Sequence, residues 1–332
     1  MGKETKRTTI YDLAKLADAS PSAVSSVLNG TWEKRRISRK LAERVMRLAE
    51  EQGYSVNVQA SLLRRERSNI VGMIVPKYDN RYFGDIAEQF EAMARARGFF
   101  PVVTCTQRNP DLEFEAAKEL ISYQAECLIS TGATDPDRIS AFCSASGVQS
   151  INLDLPGKGA PSVISDNYSA ARDLTKLILD RCEKDLGWSG PLRFVGGRLA
   201  DHNTAVRLDG FLAAHRERSI SVPESHIMAT GYSAESAAKV LENFKPDGPS
   251  GLFVNSTISL EGVVRWHSEL ASNADKVRYG CFDWDPFGSF LPGNIGMVEQ
   301  DVTTMLNKAF ELIGKPNASK EPILVPCKLR AF

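Results

Sequence analysis

The sequence predicts a small all-α helix-turn-helix domain followed by an α/β body of two doubly wound lobes. Capped helical segments come first, up to Gly53, and apolar runs alternate with helical stretches from Asn69 onward. Such alternation indicates parallel sheets with right-handed crossovers, and the apolar runs are too numerous for one small sheet. A length of 332 residues accommodates at least two domains at roughly 150 residues each.

The composition is that of a globular protein. Hydrophobic residues make up 42% and charged residues 25%, which excludes the disordered, collagenous and coiled-coil classes. No apolar run approaches the roughly 18 residues of a membrane helix, and the first residues lack a secretory signal, so we expect a cytoplasmic location and no membrane partner. The 6 Cys and 4 His show neither C-x-x-C nor H-E-x-x-H. We therefore expect no metal site, no cofactor and no catalytic group.

Charge is distributed unevenly along the chain. Residues 1–67 carry 14 Lys and Arg against 8 Asp and Glu, whereas the remainder carries 27 against 33. A basic head on an acidic body is typical of a chain whose first segment binds a polyanion, although a solvated helical surface gives the same count.

Three short helices are predicted in the head. Thr9 and Asp12 form a capping-box pattern for a helix that should end near Asp18. Ser20 is an N-cap with Pro21 at the first helical position, and this second helix should stop at Asn29-Gly30. A third helix should begin at Ser38 and end at Gly53.

The second helix has the residue types of a DNA-recognition helix. Two helices joined by a turn of three or four residues form the helix-turn-helix arrangement, whose second helix enters the major groove. The hydroxyls of Ser22, Ser25 and Ser26 permit close approach to phosphates and base edges, and the cationic run includes Arg35 and Arg36.

These residues carry a family resemblance. The stretch IYDLAKLADASPSAVSSVLNG, a third helix ending EEQGY, and the strand NIVGMIVP resemble the lactose/galactose repressor family of bacterial transcription factors over essentially the whole chain. The segment NGTWEKRRIS is similar to the fructose and sucrose repressor branch. The resemblance implies a periplasmic-binding-protein-like body that binds a small effector, and a homodimer on a palindromic DNA operator.

The resemblance also implies roles in the head. Ser20, Ser25 and Asn29 would lie near phosphates, while Pro21, Ser22 and Ser26 would face base pairs. These three side chains are shorter than those of many relatives, so no operator sequence follows from them. Asp18 stands where the family commonly has Gly, and Asp tolerates the left-handed backbone of that turn.

A hinge helix is implied between head and body. Residues 57–65 are too few for a helix that is stable alone in water. In the family this helix forms on DNA beside its dimer mate, and Leu63 takes the position of the leucine that wedges into the minor groove. A plain linker helix is the alternative. Val56 replaces the usual proline before Asn57.

The domain boundaries follow from these patterns. We place the headpiece at 1–56, the hinge at 57–68 and the body at 69–332. Lobe one should comprise about 69–165 and 296–324, and lobe two about 166–295 and 325–332, with a last strand in ILVPCKLRA. The other predicted strands are 70–75, 100–104, 127–131, 148–153, 192–195, 251–254 and 278–282, and the helices are 84–97, 112–123, 167–182, 206–216 and 234–244.

Polar and aromatic residues at strand ends are the candidate effector ligands. Ligands of doubly wound sheets bind beyond the carboxyl ends of the strands, and between two lobes these ends form a cleft. An arginine and carboxylates suit vicinal hydroxyls, and Arg207 lies in a segment similar to the family's S-x-x-R-x-x-G-F. The predicted effector residues are Asn80, Tyr82, Phe83, Asp154, Arg207, Asn255 and Asp283.

The sequence thus predicts a DNA-binding regulator, expected to be a repressor, controlled by a sugar or sugar phosphate. The fructose and sucrose-like segment favours a hexose or phosphorylated hexose. A purine-type corepressor and a sugar-binding protein that does not bind DNA are the alternatives, and an enzyme is disfavoured because neither a nucleotide loop nor an acid-base pair is apparent.

Overall fold

The computed structural model describes residues 8–54 and 68–332, and the chain divides after Ser68 into two compact units. The hinge prediction, including Val56, Asn57 and Leu63, lies outside the described residues. No helix of the described part is long and apolar enough to cross a membrane.

The first unit contains three helices around a small core: α1 (Ile10–Leu16), α2 (Pro21–Leu28) and α3 (Arg39–Glu51). All three predicted caps are present: Thr9 and Asp12 form a capping box, while Ser20 and Ser38 accept from backbone N–H groups of α2 and α3. Asp18 adopts φ 47°, the left-handed turn that the sequence predicted. Apolar side chains of all three helices form the core: Leu13, Val24, Val27 and Val45.

The second unit alternates strands and helices. In chain order its elements are β1 (Ile70–Val75), α4 (Arg81–Ala96), β2 (Phe100–Cys105), α5 (Pro110–Ser122), β3 (Cys127–Thr131), α6 (Pro136–Ala145), β4 (Gln149–Leu153), β5 (Ser162–Ser165), α7 (Asn167–Leu186), β6 (Arg193–Val195), α8 (His202–Glu217), β7 (Ile227–Met228), α9 (Ala234–Leu241), β8 (Ser250–Val254), α10 (Thr257–Glu269), β9 (Val277–Phe282), β10 (Asn294–Glu299), α11 (Val302–Leu312), β11 (Ile323–Val325) and β12 (Lys328–Ala331).

Two six-stranded sheets define the two lobes. The first has the order β11-β5-β4-β3-β1-β2 with parallel pairing throughout, and the second has the order β12-β10-β9-β8-β6-β7 with β12 antiparallel. Each sheet has an apolar core on both faces, as helix-covered parallel sheets require. The strand β1, IVGMIV, is buried at every position for this reason.

The chain passes between the lobes three times: after β5, after β10 and after β11. Two predicted boundaries are therefore wrong. Residues 296–299 belong to lobe two, because β10 pairs with β9 and β12, and Val325 belongs to lobe one through its pairing in β11. The predicted last strand is divided at Pro326, because β11 pairs with β5 in the sheet of lobe one and β12 pairs with β10 in the sheet of lobe two.

The remaining predicted elements are present, with ends shifted by a few residues. Three strands, β5, β7 and β10, and three helices, α6, α10 and α11, were not predicted from the sequence. The strands β5 and β7 are only 4 and 2 residues long, too short for a periodic signal.

Candidate functional site

A cleft with about 450 Å³ of empty volume, open solvent included, lies between the carboxyl ends of the two sheets. Both lobes contribute to its wall, as expected for paired doubly wound sheets. Its lining residues are Asn80, Tyr82, Phe83, Arg108, Asp154 and Leu155 from lobe one, Asp201, Asn203, Arg207, Tyr232, Ser256, Ile258 and Asp283 from lobe two, and Gln300 from the second crossing.

The lobe-one wall centres on Asp154, directly after β4. Tyr82 donates its hydroxyl to Asp154 Oδ1 at 3.0 Å, and Asn203 of lobe two donates to the same oxygen at 3.3 Å. Asn80 caps α4 by accepting from the Tyr82 N–H, which fixes the aromatic residues at the first turn of that helix. Phe83 packs in the core of lobe one with 4% of its surface exposed.

The lobe-two wall centres on Arg207, which lies on α8 and is 4% exposed. Its Nε donates to Asn167 Oδ1 and its Nη1 to the Asn255 carbonyl oxygen, both at 2.7 Å. Its guanidinium lies 3.6 Å from the centroid of the Phe282 ring. The remaining nitrogen of the guanidinium, Nη2, lies 3.9 Å from Asp283 Oδ1.

Asp283 follows β9 and is linked to the crossing segment. Gln300 donates to Asp283 Oδ1 at 2.7 Å, and Ser165, at the end of β5, donates to Gln300 Oε1 at 2.7 Å. Residues at two of the three crossings thus contact the cleft directly or through one side chain. A shift of the lobes would therefore alter the contacts of Asp283.

Asn255 lies behind the wall rather than in it. The side chain is fully buried, and its Nδ2 lies 3.4 Å from the hydroxyls of both Thr204 and Tyr232. Its Oδ1 finds no hydrogen-bond partner in the described part of the chain. Asn255 therefore supports Arg207 and Tyr232 from behind. The other six predicted effector residues line the cleft itself.

Burial raises the pKa of two carboxyl groups in the cleft, Asp154 and Asp283. For Asp154 desolvation outweighs the opposing effects of Arg207 and the Tyr82 hydroxyl, and for Asp283 desolvation outweighs Arg207 while the Asp154 charge raises the pKa further. Burial also raises the pKa of Tyr82, and the charge of Asp154 is the second-largest cause of this rise. Asp154 and Asp283 adopt φ 71° and 69°, a left-handed conformation found here at the same place in each lobe.

Several cleft residues were missed by the sequence analysis, chiefly Arg108, Tyr232 and Gln300. Tyr232 and Gln300 follow β7 and β10, the strands that were not identified, so the strand-end rule could not reach them. Arg108 follows β2, which was identified, so the same rule could have found it. Within the described ranges, no cluster of His, Cys, Asp and Glu could hold a metal ion.

The candidate DNA-facing residues of the head lie along α2 and in the turn after it. Pro21 and Ser22 are exposed, and the Ser20 hydroxyl accepts from the Ala23 N–H at 3.2 Å. Asn29 donates to the Ser25 carbonyl oxygen at 2.8 Å, so these two predicted phosphate neighbours are held together. The side chains of Arg35 and Arg36 are exposed in the following turn.

Ser26 does not fit its predicted role. It is 6% exposed, and its hydroxyl donates to the Ser22 carbonyl oxygen at 2.8 Å, inside the helix. A hydroxyl used in this way does not face a base pair. The inward turn of a serine on a helix cannot be read from residue order.

Comparison with known proteins gives matches over both units. Residues 9–57 match the model of bacterial regulatory proteins of the lacI family, and residues 71–288 match the periplasmic binding protein domain. The ribitol operon repressor of Klebsiella aerogenes is 59% identical over 195 residues, 59% of this chain and 72% of the relative. The sucrose operon repressor of Klebsiella pneumoniae is 27% identical, and the match covers 94% of this chain and 93% of the relative.

A solved structure shares the fold. The lac repressor dimer bound to operator and the anti-inducer ONPF superposes with a TM-score of 0.76 at 20% identity, and the match covers 98% of each chain.

Proposed function

The chain belongs to the lacI family of bacterial regulatory proteins, and we propose from this that its DNA-binding activity is controlled by a neutral polyol or sugar in the cleft. Its first unit is a DNA-binding domain and its second a periplasmic-binding-type domain. In our proposal it acts in the bacterial cytoplasm as a homodimer on a palindromic operator, without catalysing turnover of the effector.

The observation that carries the effector proposal is the buried Arg207 between two carboxylates from opposite lobes. A carboxylate accepts from hydroxyl donors, and a guanidinium donates to hydroxyl oxygens. A chain of adjacent hydroxyl groups offers both at once. Asp154, Arg207 and Asp283 are each less than 9% exposed, so the ligand would replace little water at these groups and gain strong hydrogen bonds.

The charges of the cleft favour an unphosphorylated ligand. Its lining includes three carboxylates, Asp154, Asp201 and Asp283, against two guanidinium groups, Arg108 and Arg207. A phosphate group would bring about −1.5 to −2 charges near buried carboxylates. The relative named as a ribitol operon repressor agrees with this choice, so we propose a five-carbon polyol, or the ketopentose two hydrogens poorer, as the effector class.

The expected direction of control is release. A repressor of an operon for the use of a polyol would leave its operator when the polyol is present. The effector achieves this only if it binds one arrangement of the lobes more tightly than the other. Asp283 and Gln300, at a crossing between lobes, would carry that difference.

Isothermal titration calorimetry of the full chain tests the effector proposal. The ligand panel comprises ribitol, xylitol, ribulose, fructose, fructose 1-phosphate, sucrose and a purine base. We expect a five-carbon ligand to bind at least tenfold more tightly than fructose 1-phosphate. Preferential binding of the phosphate ester would refute the charge argument, and preferential binding of the purine would favour a corepressor.

A further inference from the structure

A second chamber adjoins the effector cleft. Its empty volume is about 510 Å³, open solvent included, and it is lined by segments of both lobes, including Thr134 and Pro156 from lobe one and His202 from lobe two. The two chambers share three lining residues, Arg108, Leu155 and Asp201. The space between the lobes therefore continues past the cleft, and the shared residues stand at the junction.

Arg108 occupies this junction in an unusual setting. Its guanidinium lies 5.6 Å from the ring centroid of Phe83 and 5.4 Å from that of Tyr232, one ring from each lobe. Both distances are within the range of cation–π attraction. The guanidinium makes no hydrogen bond or ion pair to any residue of the ranges 8–54 and 68–332, so its N–H donors remain available to a ligand.

The backbone holds Arg108 in place at a cost. Gln107 and Arg108 adopt φ 54° and 56°, and left-handed geometry costs an L-residue roughly 1–2 kcal/mol. The next residue, Asn109, caps α5 through its side chain, and Thr134 donates its hydroxyl to the Arg108 carbonyl oxygen at 3.4 Å. This loop fixes the backbone of Arg108, whose guanidinium lies between the two chambers.

We propose that Arg108 is a specificity-determining residue that separates the effector cleft from the second chamber and stops a bound effector from extending past it. The inference rests on the proposed function, because it assumes that the effector cleft holds the polyol. Arg108 donates to the terminal oxygen of a short ligand and blocks a longer one, such as a disaccharide, from extending into the second chamber. Electrostatically it also offsets the charges of Asp154 and Asp283.

Two substitutions separate blocking from hydrogen bonding. Arg108→Ala removes both the volume and the donors, whereas Arg108→Met keeps most of the volume and removes the donors. Arg138→Ala is the matched control, because Arg138 also lies over an aromatic ring, at 4.3 Å from Phe114, but lies outside both chambers. Affinities for ribitol and sucrose are measured by calorimetry on the full-length wild type and the three variants.

We expect wild type and Arg138→Ala to bind ribitol and exclude sucrose. Both Arg108 variants should bind ribitol 10- to 100-fold more weakly, the loss expected for a hydrogen bond to a charged group. Only Arg108→Ala should gain measurable sucrose binding.

The remaining outcomes decide between the two hypotheses. Ribitol binding in Arg108→Ala equal to wild type, or continued exclusion of sucrose by this variant, would overturn the role of Arg108. A wild type that binds no polyol or sugar would refute the proposed function instead. In that case a gain of sucrose binding by Arg108→Ala would still support the blocking role of Arg108. Absence of this gain would overturn the blocking role as well.

Discussion

Arg207→Met provides a quantitative test of the buried cluster in the cleft. Methionine retains the apolar stem but removes two hydrogen bonds of 2.7 Å, to Asn167 and the Asn255 carbonyl, and the contact over Phe282. Each hydrogen bond from a charged donor contributes about 1.5–3 kcal/mol, and removal of one partner from a buried charged group costs about 3–5 kcal/mol. We expect a loss of this latter size in the free energy of unfolding.

The loss should depend on pH. Arg207 lowers the pKa values of Asp154 and Asp283 by favouring their charged forms, although burial keeps the net pKa of each raised. Its contribution is therefore present when these groups are ionised and lost as pH falls and they become protonated. The destabilisation by Arg207→Met should be larger at pH 8 than at pH 4.

Urea unfolding followed by circular dichroism measures both effects. Arg265→Met is the control, because Arg265 pairs with Glu261 on the surface of α10 and such pairs contribute less than about 1 kcal/mol. Since a 3–5 kcal/mol loss is a large share of typical stability, Arg207→Lys serves as a milder second variant that keeps the charge. Equal losses for Arg207→Met and Arg265→Met would refute the reasoning.

Three further changes test separate parts of the second unit. Tyr82→Phe removes the hydroxyl that donates to Asp154 and should cost about 1.5–3 kcal/mol in urea unfolding at pH 8; the same cost in an Asp154→Asn background would show that the bond contributes nothing. In Asp283→Asn, stability should fall less with rising pH, because burial raises the folded-state pKa above the unfolded value and the native state loses stability as pH rises through this interval. An unchanged slope of unfolding free energy against pH would contradict this. Gly210→Ala would place a Cβ against the backbone carbonyl oxygen of Tyr168 on α7, and we expect a loss of about 1–3 kcal/mol by thermal unfolding, with an unchanged melting temperature as the contrary result.

The head could be predicted from the sequence almost completely because its signals are local. The caps at Thr9, Ser20 and Ser38 each depend on residues three positions apart, and the turn at Asp18 depends on one residue. Ser26 is the exception. Whether a serine turns inward to a carbonyl of its own helix depends on packing that residue order does not record.

Apart from Arg207, which a sequence motif indicated, the cleft could be predicted only beside strands that could be recognised. Asp154 and Asp283 follow strands of 5 and 6 residues with clear apolar runs, whereas Tyr232 follows a strand of 2 residues. The lobe boundary failed at β10 for a related reason: which sheet a strand joins is decided by long-range pairing, and no local pattern encodes it.

The central claim is that a polyol in the cleft controls operator binding, and one measurement tests it most directly. The full chain selects its binding sequence from a pool of random duplexes, and its affinity for that duplex is then measured at fixed salt with and without saturating ribitol or ribulose. We predict a fall in affinity of at least tenfold with one of these ligands, about 1.4 kcal/mol, and no fall in Arg207→Lys. An affinity that is unchanged by a ligand shown calorimetrically to bind would contradict it.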